Sequence, residues 1–331
     1  MKTKVLMAIA VIGLMLGMCF GGCISKQEGA VPGPDDGTGA EVTKGNNFFF
    51  GADNASIYYQ FWKVENPIAV MIIVHGYGEH CERYDWVARN FYNHSISCYA
   101  LDHRGHGRST GLRCNVENYT YYIEDLQTFV KLVKSIEGPE KKYFMLGHSM
   151  GGGIAVVYSE IYAAEMNAFI YSAPSVGFAG APMAAFQAAA AAAPVVEGAS
   201  PLLSDYETPY VIAQSKDLNH DENNTRAYDE DPLVYHGGLK ARMGAQLLDL
   251  IAYACDNVGD VSKPCIFLQG SDDKLVDKNA TKDFYDNVSI EDKKYILYEG
   301  FYHETLNEPE WLDGGKVRVM NDIYEWLLPR I

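Results

Sequence analysis

One short stretch, GHSMGGG at residues 147–153, constrains the fold of this chain more than any other. Four glycines surround one serine, although glycine is costly inside helices and strands. The run before it, KKYFMLG at 141–147, is short, apolar and aromatic, which is typical of a buried strand. The segment after it carries apolar residues at helical spacing. The sequence therefore predicts that Ser149 lies on a sharp turn between a strand and a helix.

The pattern G-x-S-x-G in this setting is typical of a nucleophile elbow. Such a turn brings the residues two before and two after the serine almost into contact, and Gly147 and Gly151 have no Cβ to clash there. The serine takes a strained backbone conformation, and the helix N-terminus offers unpaired N–H groups to a developing negative charge. Ser149 is therefore a candidate catalytic nucleophile.

A serine hydroxyl becomes a good nucleophile only with a histidine base and an orienting carboxylate. In this architecture the acid and then the histidine follow the serine along the chain. His220 and His236 lie in a polar, irregular region, whereas His303 follows the strand-like run at 293–300, so His303 is the predicted base. The acid is expected just after the strand-like run at 263–270. Three aspartates compete there, Asp272, Asp273 and Asp277.

Several segments of the chain together resemble the monoacylglycerol lipase and lysophospholipase branch of the α/β-hydrolases. They occur in the family's order between about Asn46 and Ile331: HGYGEHCERY, LDHRGHGRSTG, GHSMGG, DPLVYHGGLKARMGAQLL and QGSDDKLVD. The resemblance implies a serine hydrolase that cleaves carboxylic esters of acyl lipids through an acyl-enzyme, without a cofactor or a metal. A monoacylglycerol or a lysophospholipid is the substrate that it favours.

The resemblance also implies roles for single residues. The family motif G-x-x-D-x-x-V falls on 270–276 and selects Asp273 as the acid, and the family histidine falls on His303. The oxyanion hole falls on the backbone N–H groups of Tyr77 and Met150. Because Tyr77 is bulkier than the small residue expected there, we expect a narrower entrance to the acyl site.

The rest of the chain alternates between strand-like and helix-like segments. Continuous apolar runs at 68–76, 96–102 and 167–173 predict strands that are buried on both faces of a parallel sheet. Helical patterns lie between them, and a last helix is predicted from residue 316. This alternation predicts an α/β fold with a doubly wound, mostly parallel sheet. With the resemblance, it predicts an α/β-hydrolase domain at 46–331.

Residues 174–235 interrupt the alternation and are predicted to form a helical cap over the site. Within them, 175–196 carries no charged residue, but its glycines and prolines leave only a short helix instead of a membrane span. Two roles remain open for this helix. It is either a buried alanine-rich cap or an apolar lid that admits acyl chains through Phe178, Met183 and Phe186.

The N-terminus predicts export. Two lysines precede an apolar stretch from Val5 to about Met18, as in a signal peptide, which would cover residues 1–22. Cys23 follows two glycines and is predicted to be lipidated, with an uncleaved anchor helix as the alternative. Residues 23–45 are rich in glycine, proline and charge and are predicted to be a flexible tether. We therefore expect the protein on the outer face of the cell membrane.

Two further features agree with export. Asn-x-Ser/Thr acceptors, whose use would make the chain a glycoprotein, start at Asn54, Asn93, Asn118, Asn223, Asn279 and Asn287. Among the cysteines, Cys81 and Cys114 fall in loops at the same predicted edge of the sheet, where they are candidates for a disulfide. Cys98 and Cys265 lie in strand-like runs and are predicted to be buried thiols.

Composition narrows the possible partners. The formal net charge is -16 at pH 7 and no basic stripe occurs, so nucleic acid is not an expected partner. The polar, acidic stretch at 214–231 is predicted to be a solvated loop. Four histidines lie close together in sequence but match no metal-binding motif, so structural hydrogen bonding is expected of His75, His80, His103 and His106. The oligomeric state is left open.

Two other functions stay open. One is an aminopeptidase or amidase on the same fold, which would need carboxylates near the site for a substrate amine. Glu79 and Glu304 are the candidates for that role. The other is a surface lipoprotein that binds without catalysis, and the intact serine, aspartate and histidine argue against it.

Overall fold

The computed structural model describes residues 42–178, 187–188, 190–191 and 205–331. Eight strands form one sheet in the order β1-β2-β4-β3-β5-β6-β7-β8. The strands are β1 Lys44–Phe50, β2 Ser56–Trp62, β3 Ala69–Val74, β4 Ile96–Leu101, β5 Tyr143–His148, β6 Ala168–Ser172, β7 Cys265–Gly270 and β8 Lys293–Tyr298. Strands β3 to β8 are parallel, whereas β1 and β2 pair antiparallel at one edge.

Helices connect the parallel strands and cover both faces of the sheet. In the described ranges they are α1 Asp85–Asn93, α2 Thr120–Glu137, α3 Met150–Tyr162, α4 Glu222–Glu230, α5 Ala241–Asp256, α6 Lys278–Asn287 and α7 Gly315–Leu327. This is the doubly wound α/β architecture that the sequence predicts. Each of the six runs interpreted as a strand contains one, namely 68–76, 96–102, 141–147, 167–173, 263–270 and 293–300.

The sheet is buried on both faces because its side chains alternate between two cores. In β3, Val70 and Ile72 pack into the core that includes residues of α2, α3 and α5. Met71 and Ile73 of the same strand pack into the opposite core with α1 and α7. A parallel strand in this position is apolar at every residue, which is why its sequence shows no alternation.

Two parts of the fold depart from the sequence predictions. Strands β1 and β2 lie before residue 68, where the sequence predicts none. β1 is an exposed edge strand with a single buried residue and shows no apolar run. The prediction of a solvated loop at 214–231 is wrong, because the stretch contains α4. Asp221 caps this helix by accepting hydrogen bonds from the backbone N–H groups of Asn223 and Asn224, at 2.9 and 3.2 Å.

The described part of the cap contacts loops at the carboxyl edge of the parallel strands. The Tyr235 N–H donates to the Gly78 carbonyl at 2.7 Å, and Phe178 forms an isolated antiparallel bridge with Val276. Met183 and Phe186, the other predicted lid residues, lie outside the described residues, as do the predicted signal peptide, Cys23 and most of the predicted tether. No helix in the described ranges combines the length and apolar character that crossing a bilayer requires.

The structure corrects the suggested disulfide. Cys81 and Cys114 are both buried and both free. They occupy different environments: Cys81 belongs to the core that includes residues of α1 and α7, while Cys114 lies beside Arg113 and the backbone of Gly78. Cys98 and Cys265 are buried free thiols, as the sequence predicts.

Candidate active site

The site is built on loops that leave the carboxyl ends of four parallel strands. In an open α/β sheet these ends meet at one edge, where ligands usually bind. Gly76 and the residues after it follow β3, and Ser149 directly follows β5. Asp273 comes just after β7, and His303 lies in the loop after β8. The chain folding thus gathers residues that are far apart in sequence.

Ser149 occupies the sharp turn between β5 and α3. Its backbone has φ 54° and ψ -121°, and residues other than glycine rarely adopt a positive φ of this kind. Backbone hydrogen bonds hold the turn in place. The Ser149 N–H donates to the carbonyl of Ser172, in the neighbouring strand β6, at 3.0 Å. The Ser149 carbonyl accepts from the N–H groups of Gly153 and Ser175, at 3.0 and 2.9 Å.

The two elbow glycines are required by close contacts between backbone segments. A Cβ on Gly147 would lie 2.5 Å from the carbonyl oxygen of Gly151. A Cβ on Gly151 would lie 2.2 Å from the Val74 carbonyl oxygen and 2.3 Å from that of His75. Helix α3 can therefore approach β3 and β5 only because these two residues lack side chains.

Asp273 and His303 form a buried pair. Asp273 Oδ2 lies 2.8 Å from His303 Nδ1, and the two side chains are 0% and 3% exposed. Asp273 Oδ1 accepts from the N–H groups of Leu275 and Val276, at 2.8 and 3.0 Å, and Oδ2 also accepts from Gln269 Nε2 at 2.9 Å. Burial raises the pKa of Asp273, but His303 and these donors outweigh it and lower the pKa below its ordinary value.

The pairing with Asp273 also changes the pKa of His303. Burial lowers the pKa of His303, but the Asp273 carboxylate more than offsets this and the pKa is raised above its ordinary value. The hydrogen bond from Nδ1–H to the carboxylate leaves Nε2 as the unprotonated nitrogen of the neutral ring. The imidazole is thereby held in the tautomer that a general base requires.

The rival residues are occupied elsewhere. Asp272 is exposed, and Asp277 caps α6 by accepting from the Asn279 N–H at 2.9 Å. His220 Nδ1 pairs with Glu308 at 2.9 Å, and its ring lies 3.8 Å from that of Tyr302. Of the three aspartates that the strand pattern allowed, Asp273 is the one that contacts His303.

Tyr77 and Met150 border the same cavity as Ser149 and His303. Met150 is the first residue of α3, so its N–H is among those that have no partner within the helix. The loop around Tyr77 is held on both sides. The Gly76 N–H donates to Glu79 Oε1 at 2.6 Å, and the Gly78 carbonyl accepts from the Tyr235 N–H. The Tyr77 ring packs edge-on against His106 and Tyr235.

The cavity has an empty volume of about 490 Å³, and its lining residues fall into two chemically different sets, which are called the apolar wall and the polar wall. One wall is apolar and consists of Phe178, Ile212, Ala213, Leu218, Leu247 and Leu275. The other carries Glu79, Arg83, His148, Tyr228 and Glu304. A ligand with an apolar part and a polar part would therefore find a matching surface for each.

The polar wall centres on Arg83. Its Nη1 lies 2.5 Å from Glu79 Oε2 and 2.7 Å from Glu304 Oε1. The side chains are 9% exposed for Arg83 and 5% for each carboxylate. Arg83 also lies over the Tyr228 ring, 4.8 Å from its centroid. The pairing satisfies three charges that would be costly to bury singly.

Known proteins resemble this chain in sequence as well as in structure. A family model described as "Serine aminopeptidase, S33" matches residues 65–310. The monoacylglycerol lipase of Mycolicibacterium smegmatis is 31% identical to this chain, over 87% of this chain and 99% of its own length. The chain belongs to the monoacylglycerol lipase branch of the α/β-hydrolases. The resemblance seen in the sequence motifs is thereby confirmed.

Other members of the superfamily agree. The monoglyceride lipase of Rattus norvegicus is 30% identical to this α/β-hydrolase, over 85% of this chain and 89% of its own length. A soluble variant of the monoglyceride lipase of Saccharomyces cerevisiae, solved in complex with a substrate analog, superposes with a TM-score of 0.73. That structure is 23% identical and covers 86% of this chain and 94% of its own, so it supports the fold.

The histidine cluster of this α/β-hydrolase is structural. His75 Nε2 accepts from the His103 N–H at 2.9 Å, so its Nδ1–H donates to the Gly76 carbonyl at 2.7 Å. His80 Nε2 pairs with Asp231 at 2.8 Å. Burial lowers the pKa of His103 to about 3 and that of His106 to about 4, so both rings are neutral. In the described ranges no His, Cys, Asp and Glu side chains are grouped as metal ligands.

Sequence reasoning missed part of the site. It assigned no role to Arg83 or His148, although both lie inside motifs that it quoted, and it placed Tyr228 in a solvated loop. His148 immediately precedes Ser149, and its ring lies 4.8 Å from that of His303. A signal was present for Arg83, because an arginine four residues after Glu79 can form an ion pair. None was present for Tyr228, whose neighbours are polar.

The elbow contacts make a prediction about stability. Gly151→Ala should destabilise the protein by about 1–3 kcal/mol, because the new methyl group meets backbone atoms that cannot move aside. Gly259→Ala is the matched control, since a Cβ there has nothing within 4 Å. Its effect should stay within about 0.5 kcal/mol. Denaturant unfolding of both variants measures this, and equal effects would contradict the close approach of α3 to β3.

Proposed function

We propose that this α/β-hydrolase cleaves carboxylic ester bonds of acyl lipids with Ser149 as nucleophile, and that it acts as an exported protein tethered to the membrane. The observation that carries the catalytic proposal is the buried Asp273–His303 pair, at 2.8 Å, beside a cavity that Ser149 also lines. The relatives named monoacylglycerol lipase and monoglyceride lipase support an acyl-lipid substrate.

The first half of the proposed reaction acylates the serine. Asp273 stays ionised and holds the Nδ1–H of His303, so Nε2 takes the proton of the Ser149 hydroxyl as its oxygen attacks the ester carbonyl. The carbonyl oxygen becomes an oxyanion, which the backbone N–H groups of Tyr77 and Met150 bind. His303 then gives the proton to the leaving alcohol, and the acyl group remains on Ser149.

The second half releases the acid. Water takes the place of the alcohol, His303 removes its proton, and the hydroxide attacks the acyl-enzyme through the same oxyanion. The tetrahedral intermediate collapses to the free fatty acid, and the proton on His303 returns to Ser149. No cofactor enters this scheme.

The apolar wall is proposed to take the acyl chain. Leu218, Leu247 and Leu275 line it together with Phe178, and each buried methylene of a ligand contributes on the order of 0.8 kcal/mol. The role in an apolar lid that the sequence predicts for Met183 and Phe186 is part of this proposal. A monoacylglycerol and a lysophospholipid both combine one acyl chain with a polar alcohol and are the two candidate substrates.

An aminopeptidase is the second candidate, and the description of the matching family model favours it. A substrate ammonium would need an available carboxylate. Glu79 accepts from the Gly76 N–H, from Tyr84 Oη and from Arg83. Glu304 accepts twice from Arg83 and once each from Asn219 and Asn307. Because both carboxylates are already occupied by protein donors, the ester substrate is favoured.

The roles of the three residues can be tested together. Ser149→Ala should abolish labelling by a fluorophosphonate probe and reduce hydrolysis of a monoacylglycerol to a residual level. Asp273→Asn should lower kcat on the order of 10⁴-fold, because the imidazole loses its tautomer, whereas the exposed Asp272→Asn should change it little. A larger loss in Asp272→Asn, or faster cleavage of an aminoacyl amide than of the ester by the wild type, would contradict the proposal.

The pH dependence should report the histidine. The base must be neutral, so kcat/KM should fall on acidification with a midpoint above 6.5, because Asp273 raises the pKa of His303. Asp273→Asn removes that negative charge, so the midpoint of its residual activity should move to lower pH. Asp272→Asn should leave the midpoint in place. A rate that is flat from about pH 5 to 8 would contradict His303 as the base.

The location can be tested by fractionating cells that express the full chain. The wild type should sediment with membranes and be released by detergent, and Cys23→Ser should become soluble if lipidation supplies the anchor. Cys19→Ser, which changes the other N-terminal cysteine, should stay with the membranes. Membrane-bound Cys23→Ser would instead support an uncleaved anchor helix, and a soluble wild type would contradict the tether. Glycosylation at the Asn-x-Ser/Thr acceptors is part of the same proposal and would appear as added mass.

A further inference from the structure

Most of the polar wall is shared with a second cavity. Glu79, Arg83, His148 and Glu304 also line a second, smaller cavity of about 270 Å³ that continues beyond them. These four residues therefore separate the two spaces. When an ester carbonyl is at Ser149 and the acyl chain lies on the apolar wall, the polar wall is the part of the lining that remains for the alcohol part of the substrate.

Arg83 is not available to a ligand. Its Nη1 donates to Glu79 and Glu304, and its Nη2 donates to Glu304 Oε2 at 3.0 Å and approaches Asn224 Oδ1 at 3.5 Å. Tyr228 covers one face of the guanidinium. An unpaired arginine at this place would be a good ligand for a phosphate, because its fork matches two anionic oxygens. Here both terminal nitrogens of the Arg83 guanidinium already donate to Glu304.

The wall as a whole carries negative charge. Glu79 accepts only from donors of the protein, which is the pattern of an ionised carboxylate. Arg83 outweighs the effect of burial and holds the pKa of Glu304 well below its usual value. Burial lowers the pKa of His148 to about 4, so this ring is neutral. One guanidinium against two carboxylates leaves one net negative charge, and buried charges are poorly screened by salt.

We propose that Glu304 is a specificity-determining residue that makes the site discriminate against esters whose alcohol part is anionic. By this inference, which rests on the proposed ester hydrolysis at Ser149, uncharged polyol esters are substrates and esters that carry a phosphate monoester are rejected. The rejection has two causes. The phosphate meets a net negative wall, and the cation that would otherwise bind it is already paired.

The test compares two substrates that differ only in the phosphate, 1-octanoylglycerol and 1-octanoylglycerol 3-phosphate, both presented as monomers. The wild type should show a kcat/KM for the phosphate ester that is lower on the order of 100-fold, from one buried charge repelling another at a few ångströms. Measurement at about 0.5 M salt screens the acidic surface but leaves the buried charges effective.

Glu304→Gln keeps the shape of the side chain and removes its charge, so the ratio between the two substrates should shrink by about tenfold or more. Glu308→Gln is the matched control. It removes a fully buried carboxylate from the same loop and changes the net charge equally, but Glu308 bonds to His220 and to the Tyr302 N–H and does not line the cavity. The control should keep the wild-type ratio, whatever its effect on absolute rates.

Each outcome decides one point. If the wild type cleaves octanoylglycerol no faster than Ser149→Ala does, the proposed function fails. If it cleaves both esters equally well, the function stands and the discrimination by charge is refuted. If Glu304→Gln and Glu308→Gln change the ratio equally, the assignment to Glu304 is refuted. The wild-type comparison needs no variant, so it decides the discrimination even if Glu304→Gln does not fold.

Discussion

The strained backbone at Ser149 is the constraint on which the rest of the site depends. A residue with φ 54° between β5 and α3 persists only because its surroundings hold it. Its N–H is bound to the neighbouring β6, and its carbonyl is bound within α3 and to Ser175. The central sheet therefore acts as the rigid support that presents one hydroxyl at its edge. The glycine-rich stretch is the part of this arrangement that can be recognised in the sequence.

Buried charges around the serine follow a common rule. Asp273 and Glu304 are both buried carboxylates, with side chains 0% and 5% exposed, and each is surrounded by donors from several elements. Asp273 receives two backbone N–H groups from its own loop, while Glu304 receives donors from the loop after β3 and from the cap. These bonds offset the cost of burial. Through Asn219, the cap is also bonded to Glu304, the residue that directly follows His303.

Much of the fold could be predicted from sequence because the central strands are buried and mostly apolar. The runs at 68–76 and 263–270 are mostly apolar, which favours buried strands. The pattern G-x-S-x-G between a strand and a helix has few other interpretations. Prediction failed for elements that bury only one residue. The edge strand β1 buries one residue, and α4 presents a polar surface around the buried Tyr228, so neither shows a periodic apolar pattern. Because α4 was not predicted, the contribution of Tyr228 to the site was not predicted either.

The sequence by itself determined the order of β3 to β8 along the chain, the elbow serine and the histidine after the last strand, because each depends on a local pattern. It left Asp272, Asp273 and Asp277 equivalent until a family motif was used, since all three follow the same strand. Only the tertiary structure decided among them by contact, with Asp273 buried against His303. It alone also joined Arg83 to Glu304, which lie 221 positions apart. Nothing local encodes such a pairing, because it exists only when the sheet brings two loops to one edge.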